Sequence, residues 1–205
     1  MKQLLIIGAS GHGKVVADIA KLNGYDSILF FDDNKSLTHC GSYRVVGVTA
    51  DVENYEGDVF IAIGNASIRE RIHTMYSHRT LPVLIHPSAV IADTVQISVG
   101  TVIMAGAVIN ADAVIGKGCI INTCASVDHD CVLGDFIHIS VGAHIAGTVH
   151  IGNRTWIGIG AAVSNNLEIC DNCMIGAGAV VIRNIEESGT YFGVPAKKHE
   201  NSDTH

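Results

Sequence analysis

The chain contains no run of lysines or arginines, and its 13 basic residues are outnumbered by 20 acidic ones, giving a net charge of −7 with histidine neutral. Without clustered cations to neutralise phosphates, a nucleic-acid or anionic-membrane surface is excluded as the dominant partner. No stretch reaches the ~18 uninterrupted apolar residues of a membrane span. Met1-Lys2-Gln3 leads into the apolar run Leu4 to Ile7, too brief for a secretory signal and followed by no cleavage pattern. These absences predict a cytoplasmic protein. The six cysteines supply no metal framework: Cys170 and Cys173 have C-x-x-C spacing but no second half-site. Apolar residues make up 48% of the 205 positions, enough to bury one large core or two smaller ones.

Two patterns divide the chain. In the first, the apolar run Leu4 to Ile7 is followed by Gly8-Ala9-Ser10-Gly11-His12-Gly13 and by apolar residues at helical spacing, Val15, Val16, Ile19 and Ala20. That reads as strand, turn, helix. Further strands are expected at Ile28 to Phe31, ending in Asp32-Asp33, and at Val59 to Ile63, ending in Gly64-Asn65, with a second helix over Ile68 to Tyr76. Strands alternating with helices imply a parallel sheet whose ligands lie beyond the carboxyl ends of its strands.

From residue 85 the period becomes six. Every sixth position from Ile85 to Val181 is Ile, Leu or Val, seventeen in succession without an insertion. Four residues after most of them stands a compact residue, such as Ala89, Thr101, Ala107, Cys119, Cys131, Ala143 or Ala179. An α-helix would scatter a six-residue repeat around its cylinder. A parallel β-helix accommodates it: each hexad forms one flat face, three faces close a coil, and residues 18 apart in the sequence stack. Frequent Gly and Asn supply turn positions with positive φ.

The hexad repeat resembles the left-handed β-helix acyltransferases. Together with Gly8-Ala9-Ser10-Gly11-His12-Gly13, Asp32-Asp33, Ala62-Ile63-Gly64-Asn65, Val127-Asp128-His129-Asp130 and Gly193-Val194-Pro195-Ala196-Lys197, it is similar to the nucleotide-4-amino-sugar N-acetyltransferases of bacterial glycan synthesis. These belong to a group labelled sialic acid O-acetyltransferase-like. The resemblance implies a Rossmann-like nucleotide-sugar-binding domain over residues 1–83, a left-handed parallel β-helix that binds acetyl-CoA over 84–198, a tail over 199–205, and a homotrimer. It also implies direct acetyl transfer to a nucleotide-linked sugar amine, with a UDP-linked 4-amino-4,6-dideoxy sugar as the expected acceptor.

Carried onto this sequence, the resemblance makes His129 the general base and Asp130 the carboxylate that raises its basicity, one methylene shorter than the family's Glu. Stacking arithmetic adds Gly147, 18 residues after His129, where a glycine permits close approach and offers an N–H to an oxyanion. The implied acetyl-CoA contacts are His138, Ile159 and Ala177, the last standing where the family has glycine. Lys197 is a candidate for a CoA phosphate. Ser10, Gly11, His12, Asp32, Asp33 and Gly64 match the nucleotide-sugar contacts. Their glycine spacing, G-x-x-G-x-G, is not the dinucleotide G-x-G-x-x-G, but free N–H groups at a helix start suit phosphate.

No metal is expected. His138, His144 and His150 occupy the same hexad position on successive faces, so within one subunit they point apart and cannot converge on zinc. Nor is a covalent acyl-enzyme required, since Cys131 falls at a compact interior position and should be inert. Two alternatives stay open on the residues alone: O-acetylation of a sialic acid or similar hydroxyl, which makes the same demand on a histidine base, and a non-catalytic trimeric scaffold.

Overall fold

The computed structural model describes residues 2–199; of the tail expected at 199–205, residues 200–205 lie outside the described residues. The amino-terminal part forms a five-stranded sheet. It comprises β1 (Gln3–Ile7), β2 (Ser27–Phe31), β3 (His39–Cys40), β4 (Tyr43–Gly47) and β5 (Asp58–Ile61), in the order β3-β4-β2-β1-β5. β1 runs parallel to both β2 and β5, as alternating strands and helices require. Helix α1 (Gly11–Leu22) follows β1 and α2 (Ala66–Met75) follows β5. Gly13 permits the first crossing, because a Cβ there would meet the Gly8 carbonyl and come within 2.9 Å of the Phe30 ring. The expected third strand ends at Ile61 rather than Ile63, so that Ile63-Gly64 is free to form a loop. The β3–β4 hairpin and the short helical turn Thr49–Asn54 were not legible, their apolar runs being too short to show a period.

Beyond residue 83 the chain winds into a parallel β-helix. Seventeen short strands, each ending on one of the seventeen hexad aliphatics, pair with one another at a spacing of three hexads and build three sheets. We call these face I (beginning at Leu84), face II (beginning at Val90) and face III (beginning at Gln96). The register is uniform: Ile109 lies against Ile91 and Val127, and Ile121 against Ile103 and Ile139. From Ile103 to Val181 the hexad aliphatics are buried at 3% exposure or less, each contributing about 1.5–3 kcal/mol of transfer free energy. In the first coil, with no coil beneath it, Ile85, Ile91 and Ile97 are only half-buried. At the far end face I is extended by the strands Gly189–Phe192 and Lys197–Lys198.

From residue 100 to residue 178, each corner contains one left-handed residue at six-residue intervals. Gly100, Gly106, Gly118, Gly142, Gly160 and Gly178 take this position with φ between 60° and 70°, and Asp112, Cys124, Asp130, Phe136, Thr148, Arg154, Asn166 and Asn172 take it with φ between 54° and 61°. The requirement is set by the corner, since bulky residues accept it too.

The two parts share a core. Outward side chains of face I, Leu84, Val102, Met104 and Ile120, are buried with Val16, Ala17, Ile19 and Ala20 of α1. Asn23, just past α1, donates to the Ile85 carbonyl at 2.7 Å and accepts from the Ile85 N–H at 2.9 Å, pairing the otherwise open first coil.

Candidate active site

His129 lies on the corner that follows face II. Val127 buries the end of the strand; Asp128 then accepts the His129 N–H at 2.8 Å and the Asn110 amide of the preceding coil at 2.7 Å. The left-handed conformation of Asp130 (φ 59°) folds its carboxylate back onto the neighbouring imidazole, with His129 Nδ1 2.7 Å from Asp130 Oδ2. A carboxylate acceptor fixes the proton on Nδ1, leaving the lone pair on Nε2. The hydrogen bond to Asp130, then the charge of Asp128, holds the ring pKa above its ordinary value of 6.5. The shorter Asp therefore reaches the ring.

Gly147 stacks on His129 as the arithmetic requires. The Thr148 N–H donates to the His129 carbonyl at 2.9 Å, and a Cβ on Gly147 would fall 2.5 Å from His129 Nε2. Only a glycine leaves the ring where it is.

The nucleotide-sugar candidates divide. Ser10, Asp32, Asp33 and Gly64 line a hollow of about 310 Å³ at the carboxyl ends of β1, β2 and β5; Gly11 and His12 do not. Ser10 caps α1 without using its hydroxyl on the helix. Asp32 accepts the Ala9 N–H at 2.7 Å and the Asn34 N–H at 2.9 Å, and Asp33 accepts the Thr49 N–H at 2.8 Å, so both carboxylates shape the turns around the hollow. His12, expected as a nucleotide-sugar contact, lies beside this hollow with Nε2 buried; burial followed by the charge of Arg69 lowers its pKa to about 4. Arg71 was missed and lines the hollow with Ile68 and Ile72. The signal was available in the helical spacing of α2, which puts residues 68, 71 and 72 on one side.

His138 lies on face I, under the amino-terminal part. Its ring stacks on Trp156 with centroids 4.8 Å apart, and Nε2 is 3.1 Å from the Asn122 amide nitrogen. Burial, then the charges of Arg69 and His12, lower its pKa to about 3. With Trp156, Met174, Gly64 and Arg154 it lines a cavity of about 340 Å³ between α2 and the β-helix. Ile159 and Ala177 are both exposed and stacked, with the Gly178 N–H bonded to the Ile159 carbonyl at 2.8 Å. They occupy the corner after face I, a different edge of the prism from His129. Lys197 is exposed in the terminal strand beside Phe192 and Val194; its neighbour Lys198 is engaged by Glu187 at 2.6 Å. His138, His144 and His150 fall in three different sheets, and no metal-holding group of His, Cys, Asp or Glu occurs among the described residues. Cys131 is fully buried and its thiol pKa is raised by burial, whereas Cys124 is exposed. Also among the described residues, no helix is long and apolar enough to cross a membrane.

Comparison with known proteins gives concordant matches. Residues 3–76 match the PglD N-terminal domain family, and residues 148–183 match the bacterial transferase hexapeptide family of six repeats. The acetyltransferase domain of PglB from Neisseria gonorrhoeae, solved also with acetyl coenzyme A, superposes with a TM-score of 0.93 at 40% identity, covering 97% of this chain and 100% or 99% of that one. PerB from Caulobacter crescentus, solved with CoA and GDP-perosamine, superposes with a TM-score of 0.92 at 35% identity, covering 98% of each chain. A UDP-N-acetylbacillosamine N-acetyltransferase of Bacillus subtilis is 36% identical over 113 residues, 51% of this chain and 52% of the relative. The chain thus spans about half the length, or less, of the curated relatives it matches.

Proposed function

The chain belongs to the PglD-type family of hexapeptide-repeat acetyltransferases, and we propose that it acetylates the 4-amino group of a nucleotide-linked 4-amino-4,6-dideoxy sugar, using acetyl-CoA. The observation that carries this reading is the His129 dyad: an exposed imidazole, backed at 2.7 Å by Asp130, with its Nε2 edge stacked against Gly147. Such a group takes a proton from an attacking amine as the bond to the acetyl carbon forms. Asp130 stabilises the resulting imidazolium, the Gly147 N–H donates to the developing oxyanion, and the imidazolium returns the proton to the departing thiolate. Acetyl-CoA supplies the activated acyl group; no residue of this chain is acylated.

The nucleotide sugar is held, on this reading, by Ser10, Gly11, His12, Asp32, Asp33 and Gly64, with Arg71 as the cation toward its diphosphate. The α1 start contributes orphan N–H groups that favour phosphate. UDP is proposed as the nucleotide by analogy with the UDP-N-acetylbacillosamine N-acetyltransferase of Bacillus subtilis; the GDP-sugar bound by PerB is the competing outcome. Acetyl-CoA is assigned to His138, Ile159, Ala177 and Lys197. Because His129 and the Ile159–Ala177 pair occupy different edges of one β-helix, a shared site takes the pair from one copy and the base from the next. We therefore propose a homotrimer with its active sites between subunits.

Two measurements test this. Turnover with a panel of UDP-, GDP- and dTDP-linked 4-amino sugars, followed by CoA release, should find an acceptor. If the nucleotide sugars fail while a free nonulosonic acid is acetylated, the O-acetyltransferase reading replaces this one; absence of acetyl-CoA binding by calorimetry leaves the scaffold. Light scattering should give three times the chain mass, and a monomer at micromolar concentration would contradict the shared site.

A further inference from the structure

Arg69 is 1% exposed; among the described residues it is the largest fully buried side chain and forms no ion pair. Its guanidinium is spent entirely on backbone carbonyls. Nη1 donates to Ile63 at 2.7 Å and Gly64 at 2.8 Å, on the loop after β5; Nε donates to Gly118 at 2.7 Å and Nη2 to Phe136 at 2.7 Å, on two stacked corners of the β-helix. One side chain thus joins the loop that lines the nucleotide hollow to the coil that carries His138, two residues beyond Phe136. A charge buried without a carboxylate costs more than apolar packing would, and apolar packing already joins the two parts around Leu84 and Ile120. Joining them did not require an arginine.

Resting on the acetyltransferase reading above, we propose that Arg69 is a positioning residue for acetyl transfer: it locks the Gly64 turn to the Gly118 and Phe136 corners and so sets the nucleotide-sugar pocket against the acetyl site. The planar fork suits this role, since it presents donors in fixed directions to four acceptors. Lysine has three rotatable donors and cannot reproduce the four bonds. The same charge lies close enough to His12 and His138 to lower both pKa values, after the larger effect of burial. Both rings are thereby kept neutral, each with one N–H and one lone pair, at the junction of the two sites. Among the described residues, His12 Nε2 and His138 Nδ1 are buried without a protein partner, and Arg69 and His12 are the charged or titratable groups that act on His138.

The experiment compares Arg69→Lys, Arg69→Met and Glu70→Gln in the full chain. The glutamine variant opens the outer contact between the two parts, Glu70 to Arg154 at 3.1 Å, without touching Gly64. Both Arg69 variants should raise KM for the nucleotide sugar and lower kcat, each by about tenfold or more, since misplacement by ~1 Å costs up to ~10²-fold. Acetyl-CoA affinity should change by less than about threefold, its other contacts lying on the corner after face I. Glu70→Gln should stay near wild type. In histidine-labelled protein the His12 and His138 ring signals should not titrate between about pH 5 and 8 in wild type, and their midpoints should move up in Arg69→Met. A lowered melting temperature with unchanged kinetic constants makes Arg69 a structural link and overturns the proposal, as does an equal loss in Glu70→Gln. Should Arg69→Met fail to fold, Arg69→Lys decides by the same criteria. Wild-type protein that binds none of UDP, GDP and dTDP refutes the nucleotide-sugar reading and this inference together. Normal wild-type turnover with unaltered Arg69 variants removes this inference alone.

Discussion

Replacing Gly147 by alanine adds one methyl group at the most demanding point of the candidate site. The new Cβ would lie 2.5 Å from His129 Nε2 and 2.6 Å from Cε1, where ordinary contact begins at 3.4 Å. The imidazole must therefore retreat by about 0.9 Å, or swing away from the corner altogether. The backbone accepts the change, because Gly147 lies outside the positive-φ set, and the alanine keeps its N–H for the oxyanion. The perturbation thus isolates the placement of the base. A displacement of that size costs about 10²-fold in kcat, with binding of both substrates little changed, since neither the Gly64 hollow nor the Ile159–Ala177 corner is touched. The assay is CoA release under saturating substrates, with a thermal melt to establish that the coil is intact. In a His129→Ala background the same substitution should add almost nothing, because the group it displaces is already gone. Gly147→Ala with kcat within about threefold of wild type would refute the claim that His129 acts from its observed position.

Asp130→Asn should lower kcat while retaining the fold. Because the Asp130 hydrogen bond is the main cause of the raised His129 pKa, the acid limb of kcat/KM should move toward lower pH, and an unshifted limb would remove Asp130 as partner. His129→Ala should lose about 10²–10⁴-fold in kcat with near-normal acetyl-CoA affinity, and raising the pH from about 6 to 9 should partly restore it by deprotonating an amine acceptor. An alcohol acceptor would give no such recovery, and near-normal turnover would end the assignment of His129. Combined Cys124→Ser and Cys131→Ala should leave turnover largely intact; a loss of several orders of magnitude would establish a covalent route.

The β-helix was legible because its signal is long-range order in the sequence: seventeen aliphatics in phase leave no other fold with a place for them. Stacking arithmetic then carried Gly147 onto His129 and Ala177 onto Ile159. What the repeat could not reveal was anything set by the docking of the amino-terminal part. His12 opens α1, and nothing in the sequence marks its ring as one buried beside the charge of Arg69. Arg69 itself reads in sequence as one of several charges in Ile68-Arg69-Glu70-Arg71, and only its four carbonyl partners separate it from Arg71. The β3–β4 hairpin was illegible for a simpler reason, its strands offering two and five residues with no regular alternation.

The left-handed corner position joins the fold to the chemistry. From residue 100 to residue 178 every corner takes one residue with positive φ, which glycine, Asn and Asp meet at least cost. At residue 130 the requirement is met by an aspartate, and the conformation that the corner imposes brings its carboxylate back to the preceding ring. A group in the extended region would project away from the His129 side chain, since successive side chains then face opposite ways. One coil on, the column holds Thr148, β-branched and at φ 59°, a conformation that costs such a side chain more than it costs aspartate. Its N–H pins the His129 carbonyl at 2.9 Å, and that bond fixes Gly147, its immediate neighbour, against the imidazole. The same backbone rule that closes each coil therefore places the carboxylate beside the base and the glycine against it, so the dyad is held by the repeat itself rather than by a loop built onto it.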